Sequence, residues 1–393
     1  MTARPPVSDQ SQREPDLSPV ERLLRSTIEA EGPQPVAVYM ALCLNHSAGG
    51  YYAAHPGLGA EGDFITAPEL TSLFGEMIAL FALQSWIDLG EPSPFDLIEL
   101  GPGSGVLMAD LLNTAKRLRP GFIASVRIRL IEQSPLLAKA QIERLQGLSV
   151  PITTAPALTE PVAETPFIVL ANEFLDALPI RQFQRTALGW HERLIGLAPS
   201  PQASGPEHPP GLAFVLSDPL PHAGLPFDPS DIPNHEGAIA EIAPSAENLI
   251  AAIGESLATT PGRALFIDYG SSTPQSSSTL QAVRQHRFVD CLTSPGAADL
   301  SAHVPFWRLK QVAHKTGARV DGPATQQAFL GGLGIELRAA RARAHLQGSG
   351  ADALSSALSR LIDAQEMGHL FKALCLSAPT LGPAPGFGPE TAP

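Results

Sequence analysis

Residues 95–105, FDLIELGPGSG, decide the fold. FDLIELG reads as a buried strand, and VLMADLLNTAKRL (106–118) reads as the helix that follows it. Between them stand Gly101, Gly103 and Gly105. Glycines let the backbone turn sharply and let a ligand approach without meeting a Cβ. The helix N-terminus adds free N–H groups and the positive end of a dipole. Outward from this turn, VRIRLIE (126–132) is a strand and PLLAKAQIERL (135–145) a helix. PFIVLANEF (166–174) and RALFIDYG (263–270) are further strands. A βαβαβ order implies an α/β fold: a parallel sheet with helices on both faces. Ligands bind such sheets outside the carboxyl ends of the strands, and each motif below lies at such an end.

The rest of the chain sets bounds. It has 393 residues and a net charge of −13, which argues against a nucleic-acid partner held by a broad basic surface. Charged residues are 17% and hydrophobic ones 44%, so a large core is available. No apolar run approaches the ~18 residues of a membrane span. Cys43, Cys291 and Cys375 lie far apart with no CxxC spacing, which excludes a disulfide scaffold and a cysteine-rich zinc site; no metal is expected. Residues 1–18 are polar, with three acids and three prolines, and read as a disordered tail without a secretory or transit signal. The expected location is therefore cytoplasmic. Residues 379–393 read as a second disordered tail. Residues 19–92 read as an N-terminal helical and loop cap, 93–197 as the ligand-binding core, and 198–233 as a proline-rich insertion broken only by the short strand GLAFVLSD. Residues 234–378 would supply the remaining core strands and an accessory region.

The glycine turn is GxGxG, with Val106 where the dinucleotide fingerprint needs its third glycine. With Glu99 two residues before it, the turn resembles the first motif of class I S-adenosylmethionine methyltransferases. That resemblance lets Glu99 orient the cofactor's ammonium end. Glu132 ends the second strand, where a carboxylate can accept both ribose hydroxyls; alone it reads as a surface acid. Ser134 caps the next helix with Pro135 at its first position. The third strand ends in Asn172-Glu173-Phe-Leu-Asp176-Ala-Leu-Pro179. Asn172 offers an acceptor for a substrate N–H, and Glu173 and Asp176 supply two carboxylates. A guanidinium presents five donors in a fork, which paired carboxylates can hold while localising its charge away from the attacking nitrogen. A helix cap with a surface acid pair would leave the same residues.

GDFITAPE (62–69) carries Asp63, Thr66 and Glu69, with Glu76 further along the helix that follows. Lying before the sheet in sequence, it can fold over the sheet's carboxyl edge as a lid whose acids attract a cationic side chain. Thr66, Pro68 and Glu69 equally fit a capped helix start. His303 and His286 read as loop histidines. Arg338, Arg341 and Arg343 read as a solvated helix face. Tyr269 reads as either a core packer or a substrate contact.

GGYY, GDFITAPE, FGE, ELGPGSG, ANEFLDALP, GWHER, LFIDYG, TLQAVRQH, PGAADLSAHV and MGHLFK occur in one order along the chain. Together they resemble the MidA family, the mitochondrial complex I assembly methyltransferases and their bacterial relatives. The resemblance covers roughly residues 20 to 379. It implies a Rossmann-like class I methyltransferase sheet that binds S-adenosyl-L-methionine. It also implies arginine N-methylation of a core complex I subunit, which would be the protein partner. The family's glycine motif falls on Gly101, Gly103 and Gly105, and its NExxDALP motif on Asn172, Glu173, Asp176 and Pro179. One departure is Pro305, where the family usually has an acid. Three alternatives stay open: a cofactor-binding assembly factor without catalysis, a methyltransferase acting on another nitrogen, and a nicotinamide-dependent oxidoreductase.

Overall fold

The computed structural model describes residues 17–54, 66–159, 162–198 and 211–388. Seven strands form the central sheet: β1 Phe95–Leu100, β2 Val126–Ile131, β3 Ile152–Ala155, β4 Phe167–Asn172, β5 Gly262–Ser271, β6 Arg319–Thr325 and β7 Phe371–Ser377. Their spatial order is β6-β7-β5-β4-β1-β2-β3, with Val304–Pro305 adding a short parallel pairing to β5. β1 to β5 run parallel, and β7 inserts antiparallel between β5 and β6. The order reverses between β1 and β4, the switch point at which α/β sheets open a crevice.

Alternate side chains of the buried strands feed two cores. Ile98, Leu100, Val169, Ala171, Ala264 and Phe266 face one side, with helices Pro19–Glu31, Val36–Asn45, Pro244–Thr259 and Phe306–Lys315. Leu97, Ile168, Leu170, Leu265 and Ile267 face the other, with helices Ser72–Asp88 and Val106–Leu118. The stretch expected as one cap over 19–92 is thus divided between opposite faces. Two of its helices carry side-chain caps: Ser18 Oγ accepts from Glu21 N at 3.0 Å with Pro19 opening the helix, and Thr71 Oγ1 accepts from Leu73 N at 3.3 Å.

β4 ends at Asn172, and the chain then leaves the sheet. Arg181–Thr186 and Gly189–Leu197 pair antiparallel in a second sheet with Ile239–Ile242, Leu212–Leu216 and Gln34–Pro35. The accessory unit therefore begins before residue 198. Within the proline-rich stretch, GLAFVLSD supplies the strand Leu212–Leu216. Phe227 and Ile232 from the same stretch pack with Phe183 and Trp190.

The expectation of a disordered tail from 379 fails for the described part of it. Ala384 and Phe387 are buried, and Phe387 stacks on Phe329 at 5.2 Å between centroids. The cause is Arg263, a wholly buried guanidinium at the start of β5. It pairs with Asp88 at 2.5 Å and donates to the carbonyls of Gly382 (3.1 Å) and Pro383 (3.3 Å). A buried charge is tolerated when its donors are satisfied, and here the segment after β7 satisfies them.

Candidate functional site

A cavity of about 430 Å³ opens at the carboxyl ends of β1, β2 and β4. Gly101, Gly103 and Gly105 all have positive φ (62°, 54° and 76°). Gly101 N donates to Ile131 O at 3.0 Å, and a Cβ on Gly101 would stand 2.7 Å from the Phe174 ring. Gly101 and Gly103 line the cavity, whereas Gly105 sits behind it as the N-cap of Val106–Leu118.

Glu99 lines the cavity at 3% exposure, and its Oε2 has no hydrogen-bond partner. Burial alone pushes its carboxyl up to about 8. A buried, unpartnered carboxylate is costly unless a cation meets it. Glu132 follows β2 and is better supported. Its Oε1 accepts from Ser134 N at 2.8 Å and its Oε2 from Gln141 Nε2 at 3.1 Å. Burial raises it, against these bonds. Gln141 also donates to Gly103 O at 2.8 Å and so locks the glycine turn to Glu132. Sequence reasoning passed over Gln141; its signal was a polar residue on the apolar face of the helix Pro135–Leu145, where it is fully buried.

Asn172, Glu173 and Asp176 all line the same cavity. Glu173 holds φ at +50°, a strained conformation for a residue with a side chain. Its Oε1 accepts from Ala67 N at 2.9 Å and from Asn172 Nδ2 at 3.2 Å, leaving Asn172 Oδ1 buried without a partner. Burial pushes Glu173 up to about 7, with Asp176 adding to the rise. Asp176 Oδ2 accepts from the Tyr269 hydroxyl at 2.5 Å, and burial pushes it up to about 6. Tyr269 therefore contacts the site as well as the core. Beneath the loop, Asp268 accepts four backbone N–H groups: Phe174, Leu175, Asp176 and Tyr269, at 2.9 to 3.2 Å. Burial and the nearby Asp176 and Glu173 raise Asp268, and the N–H donors oppose that rise.

The segment from Thr66 lies across this edge. Ala67–Leu70 forms one short turn, with Thr66 at its N-cap position but making no side-chain capping bond. Glu69 lines the cavity and accepts from the Ser104 hydroxyl, which ties this turn to the glycine loop. Asp63 lies outside the described residues. Glu76, expected to bind substrate, does not line the cavity. It sits on the buried side of Ser72–Asp88, where Arg338 donates to it at 2.9 Å and Arg117 pairs at 3.6 Å. Arg338 is accordingly not a purely solvated charge. Position 305 is the N-cap of Phe306–Lys315 and stands outside the cavity lining.

Among the described residues, six carboxylates line the cavity: Glu69, Glu99, Glu132, Glu173, Asp176 and Asp299. No lysine, arginine or histidine does, among the described residues. Tyr52 and Asp299 also escaped sequence reasoning; GGYY and PGAADLSAHV carried them only as family motifs.

Comparison with known proteins agrees with this geometry. The sequence profile of a family described as S-adenosyl-L-methionine-dependent methyltransferases matches residues 77–324. The mitochondrial protein arginine methyltransferase NDUFAF7 of Xenopus tropicalis is 31% identical, covering 93% of this chain and 88% of its own. That of Danio rerio is 36% identical, covering 80% and 76%. A Burkholderia thailandensis crystal structure bound to S-adenosyl-homocysteine aligns with a TM-score of 0.79 and 27% identity, over 96% of this chain and 98% of that one. The NDUFAF7 relatives are named mitochondrial, which overturns the cytoplasmic location expected from the composition of residues 1–18. Charge pattern in a short polar tail does not decide a compartment.

Proposed function

Because the chain belongs to the S-adenosyl-L-methionine-dependent methyltransferase family that resembles MidA, we propose that it methylates an arginine nitrogen of a protein, with a respiratory complex I subunit as the target. The observation that carries this reading is that, among the described residues, six carboxylates and no cationic side chain line the cavity. Such a cavity suits a positive cofactor and a positive acceptor held together.

The cofactor fits the residues present. Glu99, buried and unpartnered at Oε2, matches an ammonium group. Glu132 matches a pair of ribose hydroxyls. The left-handed glycines leave room for close backbone approach. S-adenosylmethionine supplies, when bound, an electrophilic methyl on a sulfonium. The protein's share is alignment and exclusion of water. Glu173 and Asp176 receive two edges of the guanidinium fork, and Asn172 Oδ1 accepts a third N–H. A guanidinium beside them returns both raised carboxyls to the ionised form. Glu173 uses Oε1 for Ala67 N and Asn172 Nδ2, which leaves Oε2 for the proton lost from the substrate nitrogen. Asp268 holds the loop rigid through its four N–H acceptances, so the carboxylates do not drift from the acceptor.

The test is mass spectrometry of complex I subunits from wild-type and deletion strains. A methylarginine lost on deletion and restored by the wild-type gene, but not by Glu173→Gln, is the expected result. An unchanged methylarginine pattern would refute the reading.

A further inference from the structure

Beyond Asp176 the cavity continues into a region built by residues that no motif reading assigned. Tyr52 and Asp299 both line it, and the Tyr52 hydroxyl donates to Asp299 Oδ1 at 3.4 Å. Ala302, directly after the strand that Asp299 opens, donates its N–H to Asp176 O at 3.0 Å, so the two tyrosine–aspartate pairs, Tyr269–Asp176 and Tyr52–Asp299, neighbour each other within one cavity. Glu99 and Glu132 belong to its other end, near the glycine turn.

Asp299 is held firmly. It opens the strand Asp299–Ser301, which pairs with Gln281–Arg284. That small sheet is pinned to the N-terminal helices: Ser18 Oγ donates to Pro295 O at 2.8 Å, and the Tyr39 hydroxyl donates to Cys291 O. Gly296 packs so closely that a Cβ there would stand 2.4 Å from Gly49 O. Support of this kind positions a side chain rather than leaving it on a loose loop.

Two positive groups must share the cavity, and repulsion between them has to be offset where the second one arrives. Glu173 and Asp176 flank the reacting nitrogen. A third carboxylate beyond them can meet the donors of the fork that point away from it, and Asp299 lines the cavity there beside the half-buried Tyr52. We propose that Asp299, braced by Tyr52, is a specificity-determining residue that makes this end of the cavity demand a cation. This rests on the arginine reading and deepens it, adding a residue that selects the substrate and takes no part in the proton's removal.

The test uses the full chain loaded with S-adenosyl-homocysteine and two synthetic peptides, one bearing arginine and one bearing citrulline, its uncharged isostere, at the same place. Calorimetry is expected to show that wild type prefers the arginine peptide. Asp299→Asn should lower affinity for that peptide about tenfold, the scale of a charged hydrogen bond. Its affinity for the citrulline peptide and for S-adenosyl-homocysteine should stay unchanged. Asp299→Glu should keep the preference, and Tyr52→Phe should weaken it by less. If Asp299→Asn keeps the full preference while Asp176→Asn loses it, the proposal fails and the arginine reading stands. Equal binding of both peptides by wild type sinks both. A parallel loss of S-adenosyl-homocysteine affinity in Asp299→Asn would make Asp299 part of the frame and overturn the assignment.

Discussion

At one end of the cavity, Glu99, Gly101 and Glu132 come from a single strand–helix–strand unit, β1 to β2. At the other, Tyr52, Asp176, Tyr269 and Asp299 come from four separate segments. The first end is made by local backbone geometry, with left-handed glycines, a helix start and a carboxylate at each strand end. The second is made by tertiary crossings, where a cap helix, the loop after β4, the end of β5 and a small sheet converge. An end built by local geometry can thus be combined with an opposite end that changes by swapping any one of those segments.

Substitutions can break this contrast. The largest effect is expected from Glu173→Gln. Turnover should fall by about 10²–10⁴, the usual share of a positioned acid–base group, while S-adenosyl-homocysteine affinity measured by calorimetry holds. An equal loss of both would merge the two ends into one. Next, Gly101→Ala should damage the cofactor end twice, through its φ of 62° and through the 2.7 Å approach to Phe174. Thermal and urea unfolding should show a loss of about 1–3 kcal/mol, with weakened S-adenosyl-homocysteine binding.

Glu99 gives a pH test. Its carboxyl is raised to about 8 by burial, and a bound ammonium needs it ionised. S-adenosyl-homocysteine affinity should therefore rise by up to about tenfold per pH unit from pH 6 towards 8 and then level off. Glu99→Gln should be weaker and flat over that range. Stability moves the other way. The folded state holds a proton on Glu99 that the unfolded state loses above the ordinary carboxylate range, so this group's contribution to stability falls as pH rises from that range to about 8 and levels off above it. Glu99→Gln should remove that decline in the free protein. The smallest effect on activity is expected from Glu76→Gln, since Glu76 faces Arg338 and Arg117 instead of the cavity. It should cost stability by about 1–3 kcal/mol and leave peptide methylation within twofold of wild type.

The same contrast explains what was legible in the sequence. The turn at 101–105, the caps at Ser18 and Ser134 and the strand-end carboxylates depend on residues a few positions apart, and their chemistry reads directly. Glu173 and Asp176 were legible as a pair, but the positive φ of Glu173 and the anchoring by Asp268 depend on β5, some ninety residues later. Glu76 was misplaced because its partner Arg338 lies on a helix that no local pattern links to it. The prolines after 379 suggested a tail, whereas the packing of Gly382 to Phe387 rests on distant partners: the buried Arg263 guanidinium, Asp321 and the Phe329 ring. Tyr52 and Asp299 stand inside family motifs but carry no local chemical signal, since each looks like an ordinary loop or strand residue until the chain brings them together.

The short turn Ala67–Leu70 touches both ends at once, through Glu69 to Ser104 and through Ala67 N to Glu173. A displacement of that turn is felt by the glycine loop and by the acceptor carboxylates together. Any coupling that this turn carries between the two ends is thermodynamically reciprocal: whatever factor one ligand applied to the affinity of the other would be returned in full. Whatever the sign of that coupling, its route runs through four residues lying outside the sheet.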